Sequence, residues 1–98
     1  MRCTVTIYAP PGQKLLLVFR SLDIEFEPNC DDDFMKLYDG NSTSAYRLSG
    51  LPKRICGSRK PTGSFSTSGE ALTVFFKSDS WSNENGFQLI FTSFHEAN

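Results

Sequence analysis

The apolar residues of this chain come in six short runs, and a turn signal cuts off each run before it reaches the length of a helix. Thr4-Val5-Thr6-Ile7 alternates and stops at Pro10-Pro11-Gly12. KLLLVF, from Lys14 to Phe19, is too continuous for a strand buried on one side only, so it is expected at the centre of a sandwich. FMKLY, from Phe34 to Tyr38, sits between an acidic loop and Asp39-Gly40-Asn41. GSFS (63–66) and ALTVFFK (71–77) flank Ser68-Gly69-Glu70, a hairpin signal. GFQLIFTSF (86–94) alternates again. No window carries a sustained helical period with caps. Strands this short and this closely punctuated belong to an all-β sandwich or barrel. The expected organisation is a single domain over 1–94, with 95–98 as a tail or linker.

With 98 residues, the chain has room for a modest core, and its nine Phe can fill it. Ten basic residues against 11 acidic ones argue against a general nucleic-acid binder, which would carry a strongly basic face. The longest apolar run, LLLVF at 15–19, is far short of a bilayer span, so no membrane insertion is expected. Met1-Arg2 leads almost directly into patterned sequence with no secretory signal before it, so a mature segment or an expressed fragment is expected.

Negative charge is concentrated in one place. EFEPNCDDDF holds Glu25, Glu27, Asp31, Asp32 and Asp33 within nine positions, although the formal net charge of the chain is only -1. Such a stretch is either a solvated acidic loop or half of a cation site. It is not an EF-hand, because FMKLY follows with no glycine at the sharp turn and no glutamate at the twelfth position. The cysteine inside it is one of three, with Cys3 and Cys56. An odd count suggests one pair and one orphan. A Cys30–Cys56 bridge would close a loop of about 27 residues, worth roughly 3.5 kcal/mol by chain entropy. The alternative is three buried thiols in a cytosolic protein. Asn41-Ser42-Thr43 is a glycosylation acceptor in a turn, and together with a cysteine pair it favours an extracellular origin.

Other chemistry is sparse. His95 is the only histidine and lies near the chain end, so neither a His-dependent triad nor a zinc site is expected. No Gly-rich phosphate loop, nucleophile elbow or Cys-x-x-Cys pair occurs. Trp81, close to Asp79, is a candidate recognition residue, as is Asn83; the structural alternative is that Trp81 packs on the loop base. Lys53-Arg54 and Arg59-Lys60 bracket Cys56 as a basic cluster, suited to solubility or to binding sulfated glycans.

The stretch LLLVFRSLDIEFEPNCDDDFMKLYDG resembles the centre of a CUB domain. The resemblance continues in Cys56-Gly57, in SGEALTVFFKSD and in Gly86-Phe87, and CTVTIYAPPGQKLLLVF is similar to the segment around that family's second cysteine. It implies a compact antiparallel β-sandwich, a CUB-like jelly roll, found in extracellular proteins that recognise other proteins or glycans and catalyse nothing. The family's opening segment is absent, so the first one or two strands are expected to be missing and Cys3 to lack its usual partner. An uncovered sheet edge would invite dimerisation. The NSTSAYRLSGLPKR stretch is expected to form an enlarged surface loop.

Many CUB domains bind one calcium, and the positions of that site map onto Glu25, Asp33 and Asp79. Calcium takes oxygen ligands, and loop carbonyls near Trp81 or Ser82 would complete the shell. The family's supporting tyrosine falls in the absent opening, and Tyr8 is not its equivalent. The resemblance therefore implies a calcium-binding module that engages an extracellular partner protein, through a partner's Lys side chain. The alternative is a metal-independent structural or glycan-binding domain that uses the basic loop.

Overall fold

A computed structural model describes residues 2–78 and 86–96 of the chain. The six runs become six strands: β1 (Arg2–Tyr8), β2 (Lys14–Asp23), β3 (Phe34–Tyr38), β4 (Ser64–Ser66), β5 (Ala71–Lys77) and β6 (Gly86–Phe94). They form two three-stranded antiparallel sheets, β1-β5-β3 and β4-β2-β6. The all-β antiparallel sandwich expected from the sequence is the observed architecture.

Three local expectations change. β2 is central in its sheet, but only one of its faces is buried. Leu15, Leu17 and Phe19 point into the core, whereas Val18 and Arg20 lie on the exposed side. The unbroken apolar run conceals an ordinary alternation. An irregularity between Phe19 and Ser21 inserts one residue into the ladder. That extra residue shifts the parity, so Leu22 and Ile24 return to the core.

The second change concerns Ser68-Gly69-Glu70, which is not a hairpin turn. β4 pairs with β2 and β5 pairs with β1 and β3, so these residues carry the chain from one sheet to the other. Phe65 draws β4 towards the core by packing edge-on against Phe19, with ring centroids 6.0 Å apart. Thr67 then ties the strand's exit to β2: its amide donates to the Leu15 carbonyl and its hydroxyl accepts from the Leu15 amide, both at 3.0 Å. On the far side of the turn, Ala9 N donates to Glu70 O at 2.8 Å, and Gly12 N donates to the Glu70 carboxylate at 2.6 Å. These long-range bonds outweigh the local turn preference.

The NSTSAYRLSGLPKR loop is also more than surface. It folds back along the outer edge of β3 with a bridge at Tyr38–Arg47, and Ile55, directly after it, bridges Met35. Leu48, Leu51 and Ile55 enter the core with Met35, Leu37, Leu72 and Val74. Each such side chain contributes about 1.5–3 kcal/mol of burial.

Candidate functional site

The strand registers bring several chain ends to one pole. Asp23, at the end of β2, pairs with Gly86 at the start of β6. Phe34, at the start of β3, pairs with Lys77 at the end of β5. The two sheets are joined at this pole by residues 55–57. Ile55 exchanges hydrogen bonds with Met35 at 2.9 Å in both directions, while Gly57 donates to Ile24 at 2.8 Å and accepts from it at 3.0 Å. Gly57 has φ +90°, and a Cβ there would lie 3.2 Å from the Phe26 ring. A side-chain-bearing residue would meet backbone strain as well as that contact.

The acidic loop spans this pole. Cys30 and Cys56 are disulfide-bonded, and Cys3 is a free, exposed thiol on β1. Cys30 adopts φ 49°, a left-handed conformation uncommon for a residue with a side chain. Its amide donates to the Glu27 carbonyl at 3.1 Å. The Glu27 carboxylate accepts from the Asp32 amide. Asp31 forms an ion pair with Arg54 at 2.8 Å, and its carbonyl accepts from Lys77 Nζ at 3.1 Å. Glu27, Asp31 and Asp32 are therefore parts of a structured turn. They face solvent, as an acidic surface loop does, and their polar groups fasten the turn as well.

Of the residues expected to hold calcium, Glu25 is exposed just beyond the Ile24–Gly57 bridge, and Asp33 is buried, with 3% of its surface exposed, at the foot of β3. Asp79, Trp81, Ser82 and Asn83 lie outside the described residues. Among the described residues, no three His, Cys, Asp or Glu side chains come together to hold a metal ion. Asn41 and Thr43 are exposed in the turn after β3. His95 lies beyond the last strand. No helix among the described residues is long and apolar enough to cross a membrane.

The four-residue basic cluster expected around Cys56 does not act as one group. Lys60 turns towards β2 and donates to the Arg20 carbonyl at 3.3 Å. Arg54 instead joins Lys36 and Lys77 around the ring of Phe34. The guanidinium carbon lies 4.7 Å from the ring centroid, and the two ammonium nitrogens lie 5.6 and 5.7 Å from it. The Lys36 pKa is lowered, chiefly by burial and then by the neighbouring positive charges of Arg54 and Lys53. The period-two spacing of Phe34 with Lys36 and of Phe75 with Lys77 was the available signal for this grouping, because it puts each pair on one face of its strand.

A small antiparallel β-sandwich, joined at one pole by a short bridging segment and a disulfide, is the class of protein that the geometry defines. The chain belongs to the CUB domain family, whose model matches residues 1–91. It is 38% identical over 92 residues to Tolloid-like protein 2 of Mus musculus, covering 94% of this chain and 9% of that protein. It is 37% identical over 91 residues to human Cubilin, covering 93% of this chain and 2% of that one. It is 38% identical over 93 residues to CUB and zona pellucida-like domain-containing protein 1 of Mus musculus, covering 95% and 14% respectively. The chain thus spans only a small part of each of these relatives. Among solved structures, the CUB1-EGF-CUB2 domain of human MASP-1/3 matches with a TM-score of 0.77 at 18% identity, over 98% of this chain and 36% of that one. At that identity the likeness speaks for the fold.

Proposed function

We propose that this CUB domain is an extracellular, non-catalytic protein-interaction module. Its partner docks at the pole described above, and Glu25, Asp33 and Asp79 hold one calcium there. The observation that carries this reading is the shared pole. Glu25 follows the end of β2, Asp33 precedes β3, and Asp79 follows β5 in sequence; β3 and β5 are paired at that end. The donor set suits the ion: carboxylates and carbonyls are hard oxygen ligands, and a divalent cation offsets their mutual repulsion. Carbonyls near Trp81 or Ser82 would complete the shell.

The chemistry that calcium supplies is charge compensation and a fixed geometry for acidic side chains. The residual negative charge of Glu25, Asp33 and Asp79 then attracts a compact cation, which fits a Lys ammonium on the partner. Trp81 and Asn83 would provide neighbouring contact surface. Asn41, exposed and in a turn, is the proposed glycan attachment point. The Cys30–Cys56 disulfide supports an oxidising, extracellular setting.

A calcium titration followed by thermal unfolding tests the reading. Calcium at a hundredfold excess over its dissociation constant should stabilise the domain by about 2.7 kcal/mol. Asp33→Asn should abolish most of that gain, whereas Asp31→Asn should keep it. Equal responses in the two variants, or no response in the unsubstituted protein, would overturn the calcium assignment. Partner binding that survives chelation would overturn the calcium-dependent mode.

A further inference from the structure

We propose that the outer face of the β1-β5-β3 sheet binds a sulfated polysaccharide. This surface adjoins the proposed calcium site at the Phe34–Lys77 end of the sheet but uses different side chains and does not require the metal.

The strand register builds the face. Arg2, Lys77 and Phe34 stand side by side across the three strands, and Thr4, Phe75 and Lys36 form the next row. Cys3, Val5, Ile7, Val74 and Phe76 line the inner side instead, so alternation turns Arg2, Lys77 and Lys36 outward. Lys53 and Arg54 reach the same area from the loop that covers the edge of β3. Five of the chain's ten Lys and Arg residues therefore meet on one face of a protein whose formal net charge is -1.

This arrangement opposes folding. Cations placed directly opposite one another on a sheet destabilise it, and Arg2 faces Lys77. Asp31 offsets Arg54 only in part, because the pair is well exposed, with 61% of the Asp31 side chain accessible. The buried Phe34 ring holds three of the cations in place through its π-face. A ligand would thus meet charges that are already ordered, and binding would cost less side-chain entropy. Beside them lies an open depression of about 430 Å³, lined by Pro28, Asn29, Cys30, Asp31, Lys53 and Arg54. Asp31 and the Cys30 carbonyl accept from Arg54 Nη1 there, so the room for an anionic group lies on the Lys53 side of the depression.

The ligand should be a polyanion, because the cations are spread over neighbouring strands and a covering loop. Lys36, Lys77 and Arg54 gather around the Phe34 ring, and Arg2 and Lys53 extend the positive surface beyond it. The disulfide that anchors this loop favours an oxidising compartment. Sulfated polysaccharides are abundant polyanions there, and nucleic acids are not.

Affinity electrophoresis and surface binding to immobilised heparin, with chelator present, test the proposal. The domain should bind, and salt should weaken the binding steeply. Lys36→Ser combined with Lys77→Ser should lose about tenfold in affinity, equivalent to about 1.4 kcal/mol. Lys53→Ser alone, at an exposed position, should lose several-fold while leaving the thermal midpoint unchanged. Arg59→Ser combined with Lys60→Ser should change affinity less than about twofold, since Lys60 is directed to the other sheet. Equal losses for the two double variants would overturn the assignment. So would undiminished binding to desulfated heparin, or binding to phosphatidylserine vesicles without binding to heparin. Because chelator is present throughout, failure of the calcium reading leaves this result intact, and the reverse also holds.

Discussion

Removing the Cys30–Cys56 cross-link should cost this domain about 3.5 kcal/mol. The two cysteines are 26 residues apart in sequence. With that spacing, the chain-entropy relation gives about 12 cal/mol/K of entropy restored to the unfolded chain, or about 3.5 kcal/mol at 25 °C. At about 2.1 cal/mol/K per residue, a chain of 98 residues has an unfolding entropy near 200 cal/mol/K, so the thermal midpoint should fall by about 17 °C. The perturbation is Cys30→Ala with Cys56→Ala. The left-handed backbone at Cys30 imposes a similar cost on Ala and on Cys, so this term largely cancels in the comparison. In the folded state, the loop retains the hydrogen-bonded bridges Ile24–Gly57 and Met35–Ile55. The assay is thermal and urea unfolding of both forms, monitored by circular dichroism. A loss below about 1 kcal/mol, a shift under about 5 °C, would refute the reasoning. It would mean that those bridges, or residual structure in the unfolded chain, already hold the two ends together.

Three further outcomes can be checked. Leu17, 1% exposed, lies on the inward face of β2, and Leu17→Ala should cost about 2–5 kcal/mol in urea unfolding. Gly57→Ala should destabilise by about 1–2 kcal/mol, because φ is +90° there; the exposed Phe26 ring can move aside, so the backbone supplies most of the cost, and an unchanged unfolding midpoint would exclude it. Lys36→Met should raise stability at neutral pH. The Lys36 pKa in the fold lies below its ordinary 10.5, so between the two values the unfolded chain holds the extra proton and stability climbs with pH. That alkaline rise should be smaller in the variant when the two unfolding free energies are compared across the same pH series.

Strand positions were the most legible part of the sequence. Alternation and turn residues are local signals, and they located all six strands to within a few residues. Partner choice was less legible, because it depends on contacts distant in sequence. GSFS and ALTVFFK looked like the two arms of a hairpin until Thr67 tied the first to Leu15 and Glu70 tied the turn to Ala9 and Gly12. KLLLVF looked buried on both faces because Leu16 and Val18 are apolar, yet they occupy the outward side of a central strand. At the pole, residue type identified the carboxylates, but it did not separate structural roles from cation binding. Asp31 and Glu27 proved to be fastening the turn through Arg54 and the Asp32 amide. The grouping of Lys36 and Lys77 with Arg54 was hidden for a similar reason. It joins two strands and a loop, and only the register of β3 against β5 brings them together.

The cations around Phe34 illustrate how stability and binding can pull against each other. Folding alone would favour a neutral residue at position 36, since burial and adjacent positive charge both penalise its ammonium. The core does not require the charge, because the inward residues of β3 are Met35 and Leu37. Solubility does not require it either, because charge placed elsewhere on the exposed surface serves that purpose without crowding. What the crowded arrangement adds is a concentrated positive field held over a rigid sheet, with an aromatic ring fixing the positions of the charges. An anion spanning Lys36, Lys77 and Arg54 relieves their mutual repulsion as it binds. The same electrostatic term that weakens the free fold therefore strengthens the complex, and a neutral side chain at position 36 should improve one while impairing the other.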